Sequence, residues 1–478
     1  MSINGVYDST GLVQVIHGSD FQRCRLIRLR CVWRTPMEIA IRSLLPLYDS
    51  NATRIFTVII FCALVLRVGW VIYAQTVPGS DFYQYDLLAQ RLANGQGYVD
   101  EFGEPTAFYA IGWPFFLSVI YRIFGYSLIV PQLINALLSV GSVVLTYKLS
   151  IFVLNSRAAL IAAGLMAINP AMILYASTHG TESLFTFQAL LITWLILRFF
   201  NQNQANKFLI IIGIVTGLAI LVRPVAICVP IGAFGAFYIS NRDDFRNNLV
   251  KVLIVLGVSA IIISPWILRN ALVVGSPTLQ TSSGVVLWIS HNPQATGAFM
   301  DPPQAPGLSR GAGTMPGAGP DADEAEANHV YTSAAINSII EKPSRLVTLV
   351  PNKMFELWAG HRHAVNHSTR KVGRSIPEFV ILILPKLTQF YLIGLLFLVA
   401  ISYVFKRSRV LWIDGLGITL TGIILAWNFY HAINFGSGRY HVPIEPLLAV
   451  IAASGFYALW HLIFSIEMRP WQFGRIRQ

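Results

Sequence analysis

IFTVIIFCALVLRVGWVIYAQ (Ile55–Gln75) decides the class of this chain. Twenty-one residues carry one charge, Arg67, and are long enough to cross the hydrocarbon core of a bilayer as a helix. Lipid offers no partner to a free backbone amide or carbonyl, so a segment of this kind must be helical. Nine more apolar runs follow, at 128–147, 158–176, 183–200, 208–222, 225–240, 252–268, 388–405, 410–428 and 444–465. The expected fold is therefore all-α, a polytopic transmembrane helical bundle of about ten helices. Composition agrees: 54% of the 478 residues are hydrophobic and 12% charged, against about 25% charged in a soluble domain. The first run begins late and lacks the short apolar core of a cleavable leader, so it is expected to remain as the first helix.

A formal charge of +12 would suit a nucleic-acid partner if the basic residues lined one face. They follow topology instead. Arg23, Arg25, Arg28, Arg30, Arg34, Arg42 and Arg54 precede the first run, and later clusters fall at Lys148/Arg157, Arg198/Lys207, Arg242/Arg246/Lys251, Lys406/Arg407/Arg409 and Arg469/Arg475/Arg477. If the first helix runs outward and the next is 128–147, all of them lie on the cytoplasmic side, as the positive-inside rule requires. The bilayer, and not nucleic acid, is the expected partner of this charge. The chain then divides into a basic cytoplasmic segment (1–50), a membrane domain (51–466) with outer loops at 76–126 and 269–387, and a basic cytoplasmic tail (467–478). The stretch RCRLIRLRCVWR (23–34) either lies on the anionic inner leaflet or simply anchors topology. Cys24, Cys31, Cys62 and Cys228 have no metal-type spacing and take no assigned role.

Within the first outer loop, FYAIGWPFFLSVIYRIFG (108–125) is broken by Gly112 and Pro114 and is expected at the interface; if it crossed, every later basic cluster would be inverted. Arg223-Pro224 tips a tight hairpin at the outer face. The Pro/Gly/Ala tract from Asp301 to Pro320 reads as a lid or a plain linker. Arg67 inside its apolar run is expected to find an acidic partner in the bundle or to snorkel.

Orientation requires no ionisable groups on the outer side, yet they collect there: Asp81, Asp86, Asp100, Glu101 and Glu104 after the first helix, Glu182 in STHGTES, Arg223, Arg269 in SPWILRN, and His431, Arg439 and His441 in YHAINFGSGRYHVP. Acids and arginines meeting at one membrane surface make a place for a phosphate and a hydroxyl nucleophile. A sugar on a polyprenyl phosphate already has a good leaving group, so the reaction lacks only an activated nucleophile. A carboxylate acting as general base contributes about 10²–10⁴-fold, and arginine suits the charge that builds on the departing phosphate.

The ordered set GSDFYQYDLLAQRLANGQGYVDEFGEPTAFYAIGWPFFLSVIYRIFG, THGTESLF, GLAILVRP, SPWILRN, GVVLWISHNPQATGAF and GSGRYHVPIEPLLAV resembles the bacterial branch of the type C glycosyltransferases, with its protein O-mannosyltransferase and lipid A aminoarabinose transferase relatives. The likeness runs from about 55 to 460. It implies an inverting transferase acting on the periplasmic face of a bacterial inner membrane, with a polyprenyl-phosphate-linked sugar as donor and a lipid, polysaccharide or protein as acceptor. It also implies Asp81 as catalytic base, Asp86 being the near alternative, Glu182 as a second acid, and Arg269, Arg439 and Arg223 as phosphate ligands. Tyr85, His291, Asn292, Tyr440 and His441 would line the loops around the acceptor. No segment after 465 matches the soluble C-terminal domain of the larger members.

Each residue also has a plainer reading: Asp81 as the N-cap of DFYQYDLLAQ, Glu182 as a helix-start carboxylate, the arginines as interfacial anchors, and HNPQATG (291–297) as a turn. No cofactor is fixed by the sequence. A divalent cation is conceivable between His431 and His441, although their spacing fits no standard ligand motif. A transporter or flippase of lipid-linked sugars is the alternative of another class. It would show related halves and broken helices near the midplane, and no internal repeat is visible.

Overall fold

The structure, a computed structural model, describes residues 50–202, 207–241, 245–306, 323–370, 376–413 and 415–464. Residues 1–53 and 54–478 form separate units, and only the opening turn of the first helix is described from the former. The basic 23–34 stretch, residues 307–320 of the Pro/Gly/Ala tract and the tail at 467–478 lie outside the described residues.

Every regular element among the described residues is a helix, and no strand is among them. In chain order the helices are α1 (Ser50–Ala74), α2 (Asp81–Ala93), α3 (Gly112–Phe124), α4 (Ile129–Val153), α5 (Ser156–Ala167), α6 (Pro170–Ala176), α7 (Glu182–Gln202), α8 (Lys207–Val222), α9 (Cys228–Asn241), α10 (Phe245–Val273), α11 (Ser282–His291), α12 (Glu324–Glu341), α13 (Leu346–Leu357), α14 (Arg362–Ser368), α15 (Glu378–Val404), α16 (Lys406–Ile413), α17 (Gly417–Ile433) and α18 (Glu445–Phe464). Eight of the ten apolar runs fall each on one helical stretch, 410–428 is divided between α16 and α17, and 158–176 between α5 and α6. Six are long and apolar enough to cross a membrane alone, at 51–74, 129–153, 182–201, 248–273, 378–404 and 442–460. Shorter apolar helices at 207–222, 224–240 and 417–433 cover three more.

The tenth run, 158–176, is two helices with a bend of 50° between α5 and α6. Asn169-Pro170 causes the break: Pro170 has no amide for a continuing helix, and the Asn169 side chain caps α6 by accepting from Met172 N at 3.1 Å. The break leaves orphan carbonyls at the end of α5. Arg67 takes them. Its fully buried guanidinium donates to Ala167 O (2.8 Å), Met166 O (3.1 Å), Ala63 O (3.1 Å) and Ser139 Oγ (2.7 Å). The expected acidic partner is replaced by backbone carbonyls.

The last helix is the inner one. Of its apolar window 83% is buried, against 17% for α10 and 22% for α1 and α15, whose outward Phe61, Ile261 and Phe390 suit lipid. The α8–α10 pair is closed by small residues, as is common between membrane helices. A side chain at Gly213 or Gly217 would strike Val258 or Ile262, and Ser259 Oγ donates across to Gly213 O at 2.9 Å.

Candidate active site

Four side chains from four distant segments share one set of ion pairs. Arg439 donates through Nη1 to Asp81 Oδ2 at 2.9 Å and through Nε to Glu182 Oε1 at 2.7 Å. Arg223 donates through Nη2 to the same Glu182 oxygen at 2.6 Å and through Nε to Thr181 Oγ1 at 2.7 Å. Asp81 is then completed by Tyr109, whose hydroxyl donates to Oδ1 at 3.0 Å. Two carboxylates and two guanidiniums leave the group electrically balanced.

Local structure aims each member. Asp81 is the first residue of α2, and Ser80 before it sits at φ 55°, a region that costs a serine of order 1–3 kcal/mol. Ser80 makes no side-chain cap to the helix, and Asp81 keeps 40% of its side-chain surface. The preceding link is pinned by Gln132 Nε2 to Thr76 O (2.9 Å), Thr76 Oγ1 to Ser177 O, and Val77 N to Arg370 O (3.2 Å). Glu182 opens α7 and is wholly buried, its Oε2 without a hydrogen-bond partner. The turn before it is held by Asn135 Nδ2 on Thr178 O (2.8 Å) and Trp113 Nε1 on His179 O (2.7 Å). Gly180 is required there, because a Cβ would overlap Glu182 Oε2 and the Phe82 ring. Arg223 is the extended residue that ends α8, 5.7 Å above Phe185 and 5.9 Å from the Tyr440 ring.

Residues that touch must lie at the same end of the bundle. With the shorter apolar helices α8, α9 and α17 counted as crossings, two (α4, then α5/α6) separate Asp81 from Glu182, two (α7, α8) separate Glu182 from Arg223, and four (α9, α10, α15, α17) separate Arg223 from Arg439. The first number is even only if α3, thirteen residues long, does not cross.

Burial alone would favour a neutral Arg439, but Glu182, then Tyr85 and Asp81, outweigh it and hold the guanidinium firmly charged. Tyr85 packs edge-on against Tyr109 at 4.9 Å, and burial pushes its hydroxyl up to about 12. Beside Phe82 lies a feature not anticipated from the sequence, His363 and His367 on one face of α14, with ring centroids 5.7 and 4.5 Å from Phe82. Burial and then Arg439 push both imidazoles down, His367 to about 4 and His363 well below its ordinary value. The i,i+4 spacing in HRHAVNHS (361–368) was the available signal.

Other anticipated residues stand apart from these ion pairs. Asp86 is buried and accepts from Gln90 Nε2 (2.8 Å), Tyr126 OH (3.2 Å) and Tyr121 OH, which ties α2 to α3. Arg269 donates to Thr106 O (2.6 Å), Tyr98 O (3.0 Å) and Asn270 Oδ1 (3.1 Å), and lies over Trp266. It reaches Asp81 only through a chain of contacts, Tyr98 OH to Tyr109 O and Tyr109 OH to Asp81. His291 Nε2 meets Ile433 O (2.7 Å) and Lys353 Nζ (3.1 Å), and burial lowers that lysine to about 8. Asn292 closes α11, donating to Trp288 O and accepting from Gln294 N. Tyr440 stacks on His431 at 5.0 Å. His441 turns to His361 and Glu445, so the cation pairing imagined with His431 gives way to a different group of side chains.

Residues 109–268 match the family model of dolichyl-phosphate-mannose-protein mannosyltransferases. That span holds Tyr109, Glu182 and Arg223 but neither Asp81 nor Arg439. Over 150 residues, 31% of this chain and 20% of the relative, the sequence is 29% identical to YkcB, a mannosyltransferase candidate of Bacillus subtilis (strain 168). Among solved structures, the Archaeoglobus fulgidus oligosaccharyltransferase tethered to an acceptor peptide superposes with a TM-score of 0.51 at 16% identity, covering 88% of this chain and 51% of that one. ArnT of Cupriavidus metallidurans bound to undecaprenyl phosphate gives 0.38 at 12% identity, covering 84% and 77%. The chain thus spans about half the archaeal enzyme and a fifth of YkcB. It shares the fold of that archaeal oligosaccharyltransferase, and its residues 109–268 are similar in sequence to the dolichyl-phosphate-mannose-protein mannosyltransferases.

Proposed function

We propose that this chain is a membrane glycosyltransferase that moves one sugar from a polyprenyl monophosphate to an acceptor hydroxyl, on the periplasmic face of a bacterial inner membrane with both termini cytoplasmic. The observation that carries the reading is the shared ion-paired group of Asp81, Glu182, Arg223 and Arg439 at one end of the bundle. The matched family's name points to mannose on a polyprenyl phosphate as the donor, and a lipid, polysaccharide or protein hydroxyl serves as acceptor.

The group is balanced before substrate arrives, so a donor phosphate must draw a guanidinium away from a carboxylate. Asp81 is the partner that yields, being exposed and held by one arginine, whereas Glu182 is buried and holds two. Arg439 Nη1 moves to the phosphate, and Asp81 Oδ2 is left free to accept the acceptor proton. The acceptor oxygen attacks the anomeric carbon opposite the phosphate. The C–O bond breaks with its electron pair on the phosphate oxygen, and configuration inverts. Arg223 adds charge from the second side, while Arg269, committed to two loop carbonyls, positions the first outer loop. Donor occupancy thereby switches on the base.

Asp81→Asn in nanodiscs tests this with radiolabelled polyprenyl-phosphate mannose and a membrane extract as acceptor source. Transfer should fall about 10²–10⁴-fold, while the donor binds at least as tightly, since a competitor for Arg439 is gone. Unchanged transfer in Asp81→Asn would refute the reading. Lipid translocation without glycosylated product in both proteins would indicate a flippase.

A further inference from the structure

Behind the ion pairs, His361, His441 and Glu445 bring three ligand atoms to one point. His361 Nε2 is 2.5 Å from Glu445 Oε1, His441 Nε2 is 3.0 Å from the same oxygen, and the two Nε2 atoms are 3.2 Å apart. All three residues are buried: Glu445 and His441 have no exposed surface and His361 has 2%. None of them takes part in the transfer chemistry described above.

The tautomer of His441 aims its second ring nitrogen at the other two ligand atoms. Its Nδ1 lies 2.5 Å from Leu357 O, a carbonyl that can only accept, so Nδ1 carries the proton. A neutral His441 therefore points the Nε2 lone pair at a carboxylate oxygen and at a second imidazole nitrogen. One proton, on His361 Nε2, satisfies one edge of the triangle and leaves His441 facing Glu445 lone pair to lone pair. A second proton, on His441 Nε2, lets both rings donate to Glu445 Oε1 but crowds two N–H groups onto one oxygen with their nitrogens 3.2 Å apart. A single divalent ion satisfies all three atoms together.

We infer that His361, His441 and Glu445 bind a divalent transition metal of the zinc class. Zinc takes nitrogen ligands at about 2.0–2.1 Å and carboxylate oxygen at about 2.0–2.2 Å, which places tetrahedral ligands roughly 3.3 Å apart. The edges of 3.2, 3.0 and 2.5 Å therefore need to open by about 0.1, 0.3 and 0.8 Å. The outer contacts are those expected around such a site: a ligand imidazole donating its other N–H to a backbone carbonyl, and the free carboxylate oxygen held by Asn169 Nδ2 at 2.5 Å. The fourth position takes a water. The ion joins the break after α5, the segment before α14 and the start of α18. His441 follows Arg439 by two residues and His361 precedes His363 by two, so the metal fixes two segments that border the ion-paired group. Its part is structural, and it does not depend on the transferase reading.

The test uses the full chain purified in detergent, stripped with a chelator and offered Zn²⁺ or Co²⁺. One ion per chain by mass spectrometry of the metal is expected, with visible four-coordinate cobalt bands. His361→Gln and Glu445→Gln should abolish stoichiometric uptake, and Asn169→Ala should weaken it about 10–100-fold. Folding is followed by size exclusion and circular dichroism. No uptake by folded wild type overturns the inference, and so does equal uptake by a folded His361→Gln chain. Should the variants not fold, the wild-type cobalt spectrum decides: weak six-coordinate bands overturn the site and four-coordinate bands support it. Mannosyl transfer measured on the same preparation separates this outcome from failure of the proposed function.

Discussion

Glu182→Gln removes one charge from the most enclosed position of the site and leaves the shape nearly unchanged. Glu182 has no exposed surface, and its Oε1 receives Arg223 at 2.6 Å and Arg439 at 2.7 Å. After the substitution, Asp81 remains as the carboxylate paired to Arg439, and Arg223 faces only an amide oxygen and Thr181. Breaking a buried ion pair by removing one partner costs about 3–5 kcal/mol. Glutamine keeps an acceptor oxygen, so the lower end applies, about 3 kcal/mol, or roughly a 150-fold shift in the folding equilibrium. Thermal unfolding in detergent, followed by tryptophan fluorescence, should show the loss directly. The double variant Glu182→Gln/Arg223→Gln restores one carboxylate against one guanidinium. Its loss should fall short of the summed single losses by about 1 kcal/mol or more, the sign of coupled neighbours. A Glu182→Gln protein within about 0.5 kcal/mol of wild type, or single losses that simply add, would refute the view that these charges hold one another.

Gly180→Ala should destabilise by about 1–3 kcal/mol, measured by the same unfolding assay, because its methyl overlaps the Phe82 ring and the Glu182 carboxylate. Arg67→Met keeps the length of the side chain but strips donors from Met166 O and Ala167 O, so a loss of about 1–3 kcal/mol is expected, with lowered yield of folded protein as a second readout. Acid should weaken the fold through His367. Its folded value is about 4, below the ordinary 6.5, so the unfolded chain binds the extra proton, and stability present above pH 6.5 is lost as pH falls toward 4. A pH series of unfolding midpoints should flatten over that window in His367→Gln.

How much of this was legible in the sequence depended on how local the information was. Hydrophobic length is local, and eight of the ten apolar runs lie each on one helical stretch, while 158–176 and 410–428 are each divided between two helices. The even count of crossings between touching residues also agrees with keeping Gly112–Phe124 out of the bilayer. The break in 158–176 was legible in principle, since Asn169-Pro170 is a cap followed by a residue that cannot continue a helix. Reading it would also have supplied the partners of Arg67, because a helix ending inside the bundle presents carbonyls that need donors. Partner choice among the outer charges was not legible. Arg269 and Arg439 look alike in sequence, each next to an aromatic-rich segment, yet one is spent on Tyr98 and Thr106 carbonyls and the other bridges two acids. That difference is set by how α10 and the segment before α18 pack, over separations of hundreds of residues. Asp86 differs from Asp81 for the same reason: one turn further into α2, it faces Tyr121 of α3 instead of the open rim.

Burial divides the two acids of the site more sharply than sequence position does. A carboxylate with no exposed surface that holds two guanidiniums cannot exchange partners cheaply, because each broken pair leaves an uncompensated charge away from water. A carboxylate with 40% of its side chain exposed can release one, since solvent and Tyr109 support it meanwhile. The geometry therefore suits Glu182 to keep Arg223 and Arg439 pointed at a common place, and Asp81 to part from Arg439 when an anion arrives. Strain at Ser80 belongs to the same division, because a residue held at φ 55° beside the exchanging carboxylate is paid for by the packed turn and by Gln132 below it, not by Asp81 itself.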